Sequence, residues 1–268
     1  CSSDLFLVRS VKPSIARVAS RMTVIRAHHC GGCGGGCGCG GGCSGGDCDG
    51  QCGGDGCGCG EHRPALLKVY MIPNGAYQEN AYLMWDDRVK MGALIDPGEE
   101  PKKIIEALEK CEVNVDRIFL THGHHDHCSG IAQLFNEIGE IPVYMHKADY
   151  PLLSAVEKEA KELGLKIPFN FLKDKQAIEV GTRVGHVIFT PGHTPGCVCY
   201  SFGSFLFSGD TLFKGSIGRT DLEGGDSEAI VNSIQKRLFT LPYNTTVLCG
   251  HGPITSLGEE MNSNPYVS

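Results

Sequence analysis

From about residue 64 onward, apolar and polar positions follow two rhythms. Residues 66–72, 81–85 and 91–95 are short apolar runs bounded by turn formers, which predicts three strands. Residues 101–111 switch to helical spacing, with Ile104, Ile105 and Leu108 on one face. A short apolar strand over 117–120 runs directly into a group of histidines. Beyond it the spacing predicts a helix over 131–138, a strand over 142–145 and a longer amphipathic helix over 147–163. Strands follow at 185–190, 197–200 and 205–208. A helix over 226–238, with Asp226 as its N-cap, and a last strand over 246–249 complete the pattern. Strands come first as a meander and later alternate with helices. That order predicts an α+β fold of two mainly antiparallel or mixed sheets packed together, with helices on the outside.

The chain before residue 64 lacks this patterning. By composition the 268 residues divide into 1–29, 30–63 and 64–268. The chain starts at Cys1 rather than Met, as expected of a fragment or a processed product. Residues 1–29 carry Arg9, Lys12, Arg17, Arg21 and Arg26 against one acid, Asp4, together with several serines. A transit peptide looks like this, and so does a disordered basic tail. The expected location is accordingly cytoplasmic or organellar, with a mitochondrial-like N-terminus.

Residues 30–60 are mostly Gly and Cys and hold nine of the chain's 15 cysteines. Such a stretch has little side chain to bury and much backbone entropy to lose, so it is not expected to fold alone. Cys30 and Cys33 have zinc-like spacing, whereas Cys37–Cys39 and Cys57–Cys59 are tighter. Two readings stand: a low-complexity linker, or a thiolate segment for soft metals with a metal-buffering or redox role. With only Cys111, Cys128, Cys197, Cys199 and Cys249 beyond it, the large domain is no disulfide scaffold.

Charge narrows the partners. A net charge of −7 weighs against non-specific nucleic-acid binding and against anchoring on anionic lipid. No run of 18 apolar residues marks a membrane span. The oligomeric state stays open.

The chemistry concentrates at strand ends. His122, His124, Asp126 and His127 fall within six residues, and imidazole and carboxylate are the ligands that borderline divalent metals prefer. Three more apolar strands end in Gly-rich turns carrying one ligand-type residue each: His193, Asp210 and His251. Seven such groups suffice for a two-metal centre. Two cations about 3.5–4 Å apart can share a water and depress its pKa toward ~7.

These segments together resemble the metallo-β-lactamase superfamily. The residues that carry the resemblance are Thr121-His122-Gly123-His124-His125-Asp126-His127, Pro191-Gly192-His193-Thr194-Pro195-Gly196, Ser208-Gly209-Asp210-Thr211-Leu212-Phe213 and Gly250-His251-Gly252-Pro253. Gly218-Arg219-Thr220-Asp221 and Asn264-Pro265-Tyr266 make the chain look most like the glyoxalase II group in its short form, without the C-terminal helical domain.

The resemblance implies a four-layer αββα sandwich, the metallo-β-lactamase fold. It implies one metal on His122, His124 and His193, a second on Asp126, His127 and His251, and Asp210 bridging them. The ions would be zinc, with iron or manganese as alternatives. Asp96 would orient a ligand histidine from behind; read alone, it is equally a turn former before Pro97. His125, His146 and His186 are not expected to be ligands.

The implied activity is thioester hydrolysis, as by a hydroxyacylglutathione hydrolase in methylglyoxal detoxification. A water shared by the metals would be the nucleophile, and Asp126 and Asp210 would fix and orient it. Arg219 aligns with a basic residue that contacts the thiol in relatives, and a guanidinium suits a carboxylate; it is equally a surface arginine capping nearby carbonyls. Lacking the helical domain, the short form leaves a broader range of thioesters open. A persulfide dioxygenase with a single iron is the alternative reading.

Overall fold

The apolar runs assemble into two stacked sheets. The structure is a computed structural model that describes residues 24–26 and 67–267. Apart from 24–26, the basic tail and the whole Gly/Cys-rich segment lie outside the described residues.

In the first sheet β1 (Val24–Arg26), β2 (Leu67–Asn74), β3 (Glu79–Asp86), β4 (Met91–Ile95), β5 (Asn114–Phe119), β6 (Val143–His146) and β7 (Phe169–Leu172) lie side by side in chain order. Pairing is antiparallel from β1 to β4 and parallel from β4 to β7. Later strands are β8 (Ala177–Val180), β9 (Arg183–Phe189), β10 (Val198–Phe202) and β11 (Phe205–Gly209). A two-strand ribbon, β12 (Leu212–Phe213) and β13 (Ser216–Ile217), precedes β14 (Thr246–Cys249) and β15 (Thr255–Ser256). The second sheet has the order β15-β14-β11-β10-β9-β8. The helices are α1 (Pro101–Cys111), α2 (His125–Cys128), α3 (Ile131–Ile138), α4 (Ser154–Glu162), α5 (Ser227–Ser233) and α6 (Leu257–Ser263).

Side chains alternate across each strand, so each sheet offers an apolar set to both sides. On the outer face of the first sheet Leu83, Trp85, Leu94 and Ile118 meet Ile104 of α1, Leu134 and Phe135 of α3 and Val156 of α4. On its inner face Tyr82, Met84, Ile95 and Phe119 pack against Val198, Tyr200, Phe205 and Phe207 of the second sheet. Beyond that sheet, Cys199, Leu206 and Val247 meet Ile230 of α5 and Leu257 of α6. Three apolar layers therefore separate four layers of structure, the αββα sandwich.

Two expected helices are shorter than the periodicity implied. Residues 147–163 divide into a 3-10 segment, Lys147–Leu153, followed by α4. Pro151 lies in that segment, and proline has no N–H to continue an α-helix. The helix over 226–238 begins as expected, with the Asp226 carboxylate accepting from the backbone N–H groups of Glu228 and Ala229. It then widens into a π-helical turn over Ile234–Leu238.

The topology gathers strand ends. β4 and β5 run parallel. In the other sheet β11 and β14 run parallel, and β9, antiparallel to β10, runs the same way as β11. The segments at the ends of these five strands hold Asp96 and every residue singled out as a metal ligand, so one edge of the sandwich collects them.

Candidate metal centre

The two sheets are pinned together where the ligand loops leave them. Val198 N donates to Thr121 O (2.8 Å), and the Tyr200 hydroxyl donates to Leu120 O (2.5 Å). Across the sandwich Asn80 N donates to Gly250 O (2.7 Å) and the Tyr82 hydroxyl to Cys249 O (2.7 Å). These bonds satisfy buried backbone carbonyls and fix both loops to rigid strands.

The seven predicted side chains converge. His122, His124 and His193 place one nitrogen each within 4.8 Å of one another, and Asp126, His127 and His251 do the same with their ligand atoms. Asp210 lies between the groups. Its Oδ1 is 3.4 Å from His127 Nε2; its Oδ2 is 3.5 Å from His193 Nε2 and 3.6 Å from His251 Nε2. His122, His127, His193 and Asp210 are buried, while His124, Asp126 and His251 are part-exposed and form the open side. Gly250 is required here: a Cβ would collide with Asp210 Oδ1 and press on the His127 ring.

The outward nitrogen of four rings is already engaged. His122 Nδ1 meets the Thr121 hydroxyl (3.1 Å), and His127 Nδ1 meets Asp96 Oδ2 (3.1 Å). His193 Nδ1 donates to Arg219 O (2.7 Å) and His251 Nδ1 to Tyr77 O (3.3 Å). Their inward nitrogens are left to face the centre, and His122 Nε2, His127 Nε2 and Asp210 Oδ1 are buried without a hydrogen-bond partner. Orphaned buried polar atoms are costly. Cations held by the two groups, with Asp210 between them, would remove that cost, so nitrogen and carboxylate donors in this arrangement fit divalent metal ions.

Protonation agrees for part of the set, while for His251 burial is outweighed by the hydrogen bond to Asp126 and the charge of Asp210, which raise that ring. Burial, reinforced by the neighbouring rings, holds His122 well below the usual imidazole range and brings His124 to about 4. Burial alone would raise Asp126, but the His251 hydrogen bond and the adjacent rings outweigh it and bring it to about 2. Burial pulls His127 down, yet Asp210 and Asp96 overcome it and raise that ring. Neutral imidazoles and ionised carboxylates are the forms that bind metal.

The metallo-beta-lactamase superfamily model matches residues 74–251. The chain belongs to the metallo-β-lactamase superfamily. It is 34% identical over 210 residues to hydroxyacylglutathione hydrolase GloC of Haemophilus influenzae, covering 75% of this chain and 99% of that protein. Among solved structures, the BLEG-1 B3 metallo-beta-lactamase superposes with a TM-score of 0.66 at 36% identity, covering 75% of this chain and 99% of that one. TTHA1623 in a di-iron-bound form gives a TM-score of 0.62 at 40% identity, covering 72% and 96%. The centre is a dinuclear metal-binding site of the kind typical of this superfamily, consistent with a metal-dependent hydrolase.

The other residues singled out in the sequence take distinct places. Asp96 accepts from Thr121 N (2.8 Å) and the Thr121 hydroxyl (2.6 Å) as well as meeting His127. His125 points outward, 3.4 Å from Glu99 Oε1. His146 accepts from Ala148 N, and His186 sits in β9. The Arg219 guanidinium is exposed and forms a two-point pair with Asp221 (both 2.8 Å), while its carbonyl orients His193. The five described cysteines are free and buried and join neither ligand group; burial pushes Cys128 and Cys249 up to about 12.

Two residues at the centre have roles that the sequence does not single out. Thr121 joins Asp96 to His122. Glu79 is fully buried, 3.9 Å from His127 Nδ1, with neither oxygen hydrogen-bonded. Its strand is buried along its whole length, so alternation could not single it out.

Asp96→Asn is expected to weaken metal binding by about 10–100-fold, because an amide cannot serve three donors as a carboxylate does. A metal titration that gives wild-type affinity would remove Asp96 from this role.

Proposed function

We propose that the chain hydrolyses a thioester, an S-acyl derivative of a glutathione-like thiol, at two divalent ions. What carries this reading is the convergence of two three-residue ligand groups on one shared carboxylate, Asp210. The similarity to a hydroxyacylglutathione hydrolase along nearly that protein's whole length supports the thioester choice. His122, His124 and His193 would hold one ion; Asp126, His127 and His251 would hold the other. The nitrogen and oxygen donors suit zinc, with iron as the alternative.

Ions bound there supply a water of lowered pKa and polarise a carbonyl oxygen. The protein's own part is placement. Asp126 Oδ2 stands 3.2 Å from His251 Nε2 on the open side, where an acceptor can orient a water. Asp210, buried beneath, would set the spacing of the two groups. A thiolate departs readily, so little proton donation is asked of the protein.

At the rim, Tyr77 is exposed and bonded through its carbonyl to His251, and the Phe213 ring stands 6.1 Å from the His251 ring. Arg219 offers a substrate carboxylate the two-point geometry that Asp221 now occupies. Arg219→Ala is therefore expected to raise KM for a glutathione thioester several-fold with little change in kcat. An unchanged KM would remove Arg219 from substrate binding.

The alternative, a single-iron persulfide dioxygenase, needs one ion, and the complete Asp126, His127 and His251 group favours two. The reading is tested by giving the metal-loaded chain S-D-lactoylglutathione, a chromogenic cephalosporin and glutathione persulfide in parallel. Thiol release from the first without oxygen uptake from the last is expected. Oxygen consumption with one iron per chain, or turnover of the cephalosporin alone, would overturn it.

A further inference from the structure

Asp149 is fully buried in the 3-10 segment that follows β6, outside both ligand groups. Its carboxylate joins two separate loops. Oδ2 accepts from Gly123 N (3.0 Å) and from the Thr194 hydroxyl (2.6 Å), and Oδ1 accepts from Gly196 N (2.6 Å). Gly123 lies between His122 and His124, and Thr194 directly follows His193. One side chain thus grips the chain beside all three histidines of the first group.

Packing points to the same arrangement independently. A Cβ on Gly123 would stand 2.9 Å from the Asp149 carbonyl oxygen and 2.9 Å from Leu152 Cβ. A Cβ on Gly196 would stand 2.5 Å from Asp149 Oδ1 and 2.6 Å from Asp149 N. Both loops come this close to Asp149 only because each places a glycine against it. Hydrogen bonds from three donors to one carboxylate are charge-assisted and fix both loops relative to a third segment.

We propose that Asp149 is a positioning residue of the three-histidine site, joining the His122–His124 loop to the His193 loop and so setting that site's metal affinity. It does for this group what Asp96 does beside His127. The proposal rests on the metal-centre reading and is independent of the thioester assignment.

A matched control exists in the same chain. Asp86, at the far end of β3, is also fully buried and accepts from a threonine hydroxyl and two backbone N–H groups, those of Thr182 and Arg88. It lies seven residues along the strand from Glu79, which pairs with His251, a separation of roughly 23 Å at strand rise. Loss of a general structural clamp should therefore look alike in Asp86→Asn and Asp149→Asn.

The experiment is a calorimetric titration of the chelated full chain with zinc, run on wild type, Asp149→Asn, Asp86→Asn and His193→Ala. Asp149→Asn should weaken one of two binding events by about 10–100-fold. The affected event should be the one missing in His193→Ala, and Asp86→Asn should keep both. Should Asp149→Asn fail to fold, Thr194→Val decides, with a smaller loss at the same event. Two wild-type affinities in Asp149→Asn, or in Thr194→Val if that variant decides, would overturn the proposal, as would equal weakening by Asp86→Asn. A wild-type chain that bound no zinc would remove the metal reading and this one together, whereas a metal-loaded chain inactive on thioesters would leave this one standing.

Discussion

Asp210→Ala is expected to empty or severely weaken both metal positions and to lower turnover by at least about 10³-fold. Asp210 touches both groups, with His127 on one oxygen and His193 and His251 on the other. Loss of a group behind a ligand typically costs about 10–100-fold. Removing a shared ligand should exceed that, because the buried imidazoles of both groups then lose their common negative neighbour. The side chain is largely buried, and burial alone would raise its pKa; the charges of His127, His251 and His193 nonetheless keep it low. A carboxylate kept ionised at that depth balances positive charge. Elemental analysis and steady-state rates on the variant check this. Two ions per chain with a wild-type rate would show that the bridge is not needed.

Removing metal from the native chain is expected to lower its melting temperature by roughly 5–15 °C. An ion present at 100–1,000 times its Kd stabilises by about 2.7–4.1 kcal/mol, and one kcal/mol shifts a domain of this size by about 2–4 °C. The physical source is local. Without an ion, His122 Nε2, His127 Nε2 and Asp210 Oδ1 remain buried and unsatisfied. Chelation followed by thermal unfolding, then zinc addition, measures the effect. A melting temperature unmoved by chelator in a metal-containing preparation would mean that the ions sit elsewhere.

All seven metal-binding candidates were legible because each follows an apolar strand and shares its turn with a glycine. Such motifs are local, and the topology only had to bring the strand ends together. What lies behind them was harder to read because it depends on contacts between distant segments. Asp96 invited two readings until Thr121 and His127 were seen to share its carboxylate. Asp149 fell inside a stretch read as one amphipathic helix, and the break at Pro151 is what leaves it in a tight turn facing two loops. For Arg219 the sequence pointed to the guanidinium, whereas the contact to His193 comes from its carbonyl, a backbone feature that no residue type announces.

The layers were legible for a similar reason. Strands β3, β4, β10 and β11 are buried along nearly their whole length and stood out as apolar runs. The edge strands β7 and β8 mix exposed with buried positions over four residues, too short for alternation to register. The small β12–β13 ribbon is two residues per strand and forms only because the chain turns back after Asp210.

The claim that most depends on measurement is that seven side chains from four strand ends hold two ions in one pocket. The most direct test is the number of metal ions per chain in the purified protein, determined in parallel for His193→Ala and His251→Ala. Two ions in the native chain and one in each variant are predicted. A native chain without metal, or variants that keep both ions, would contradict the account.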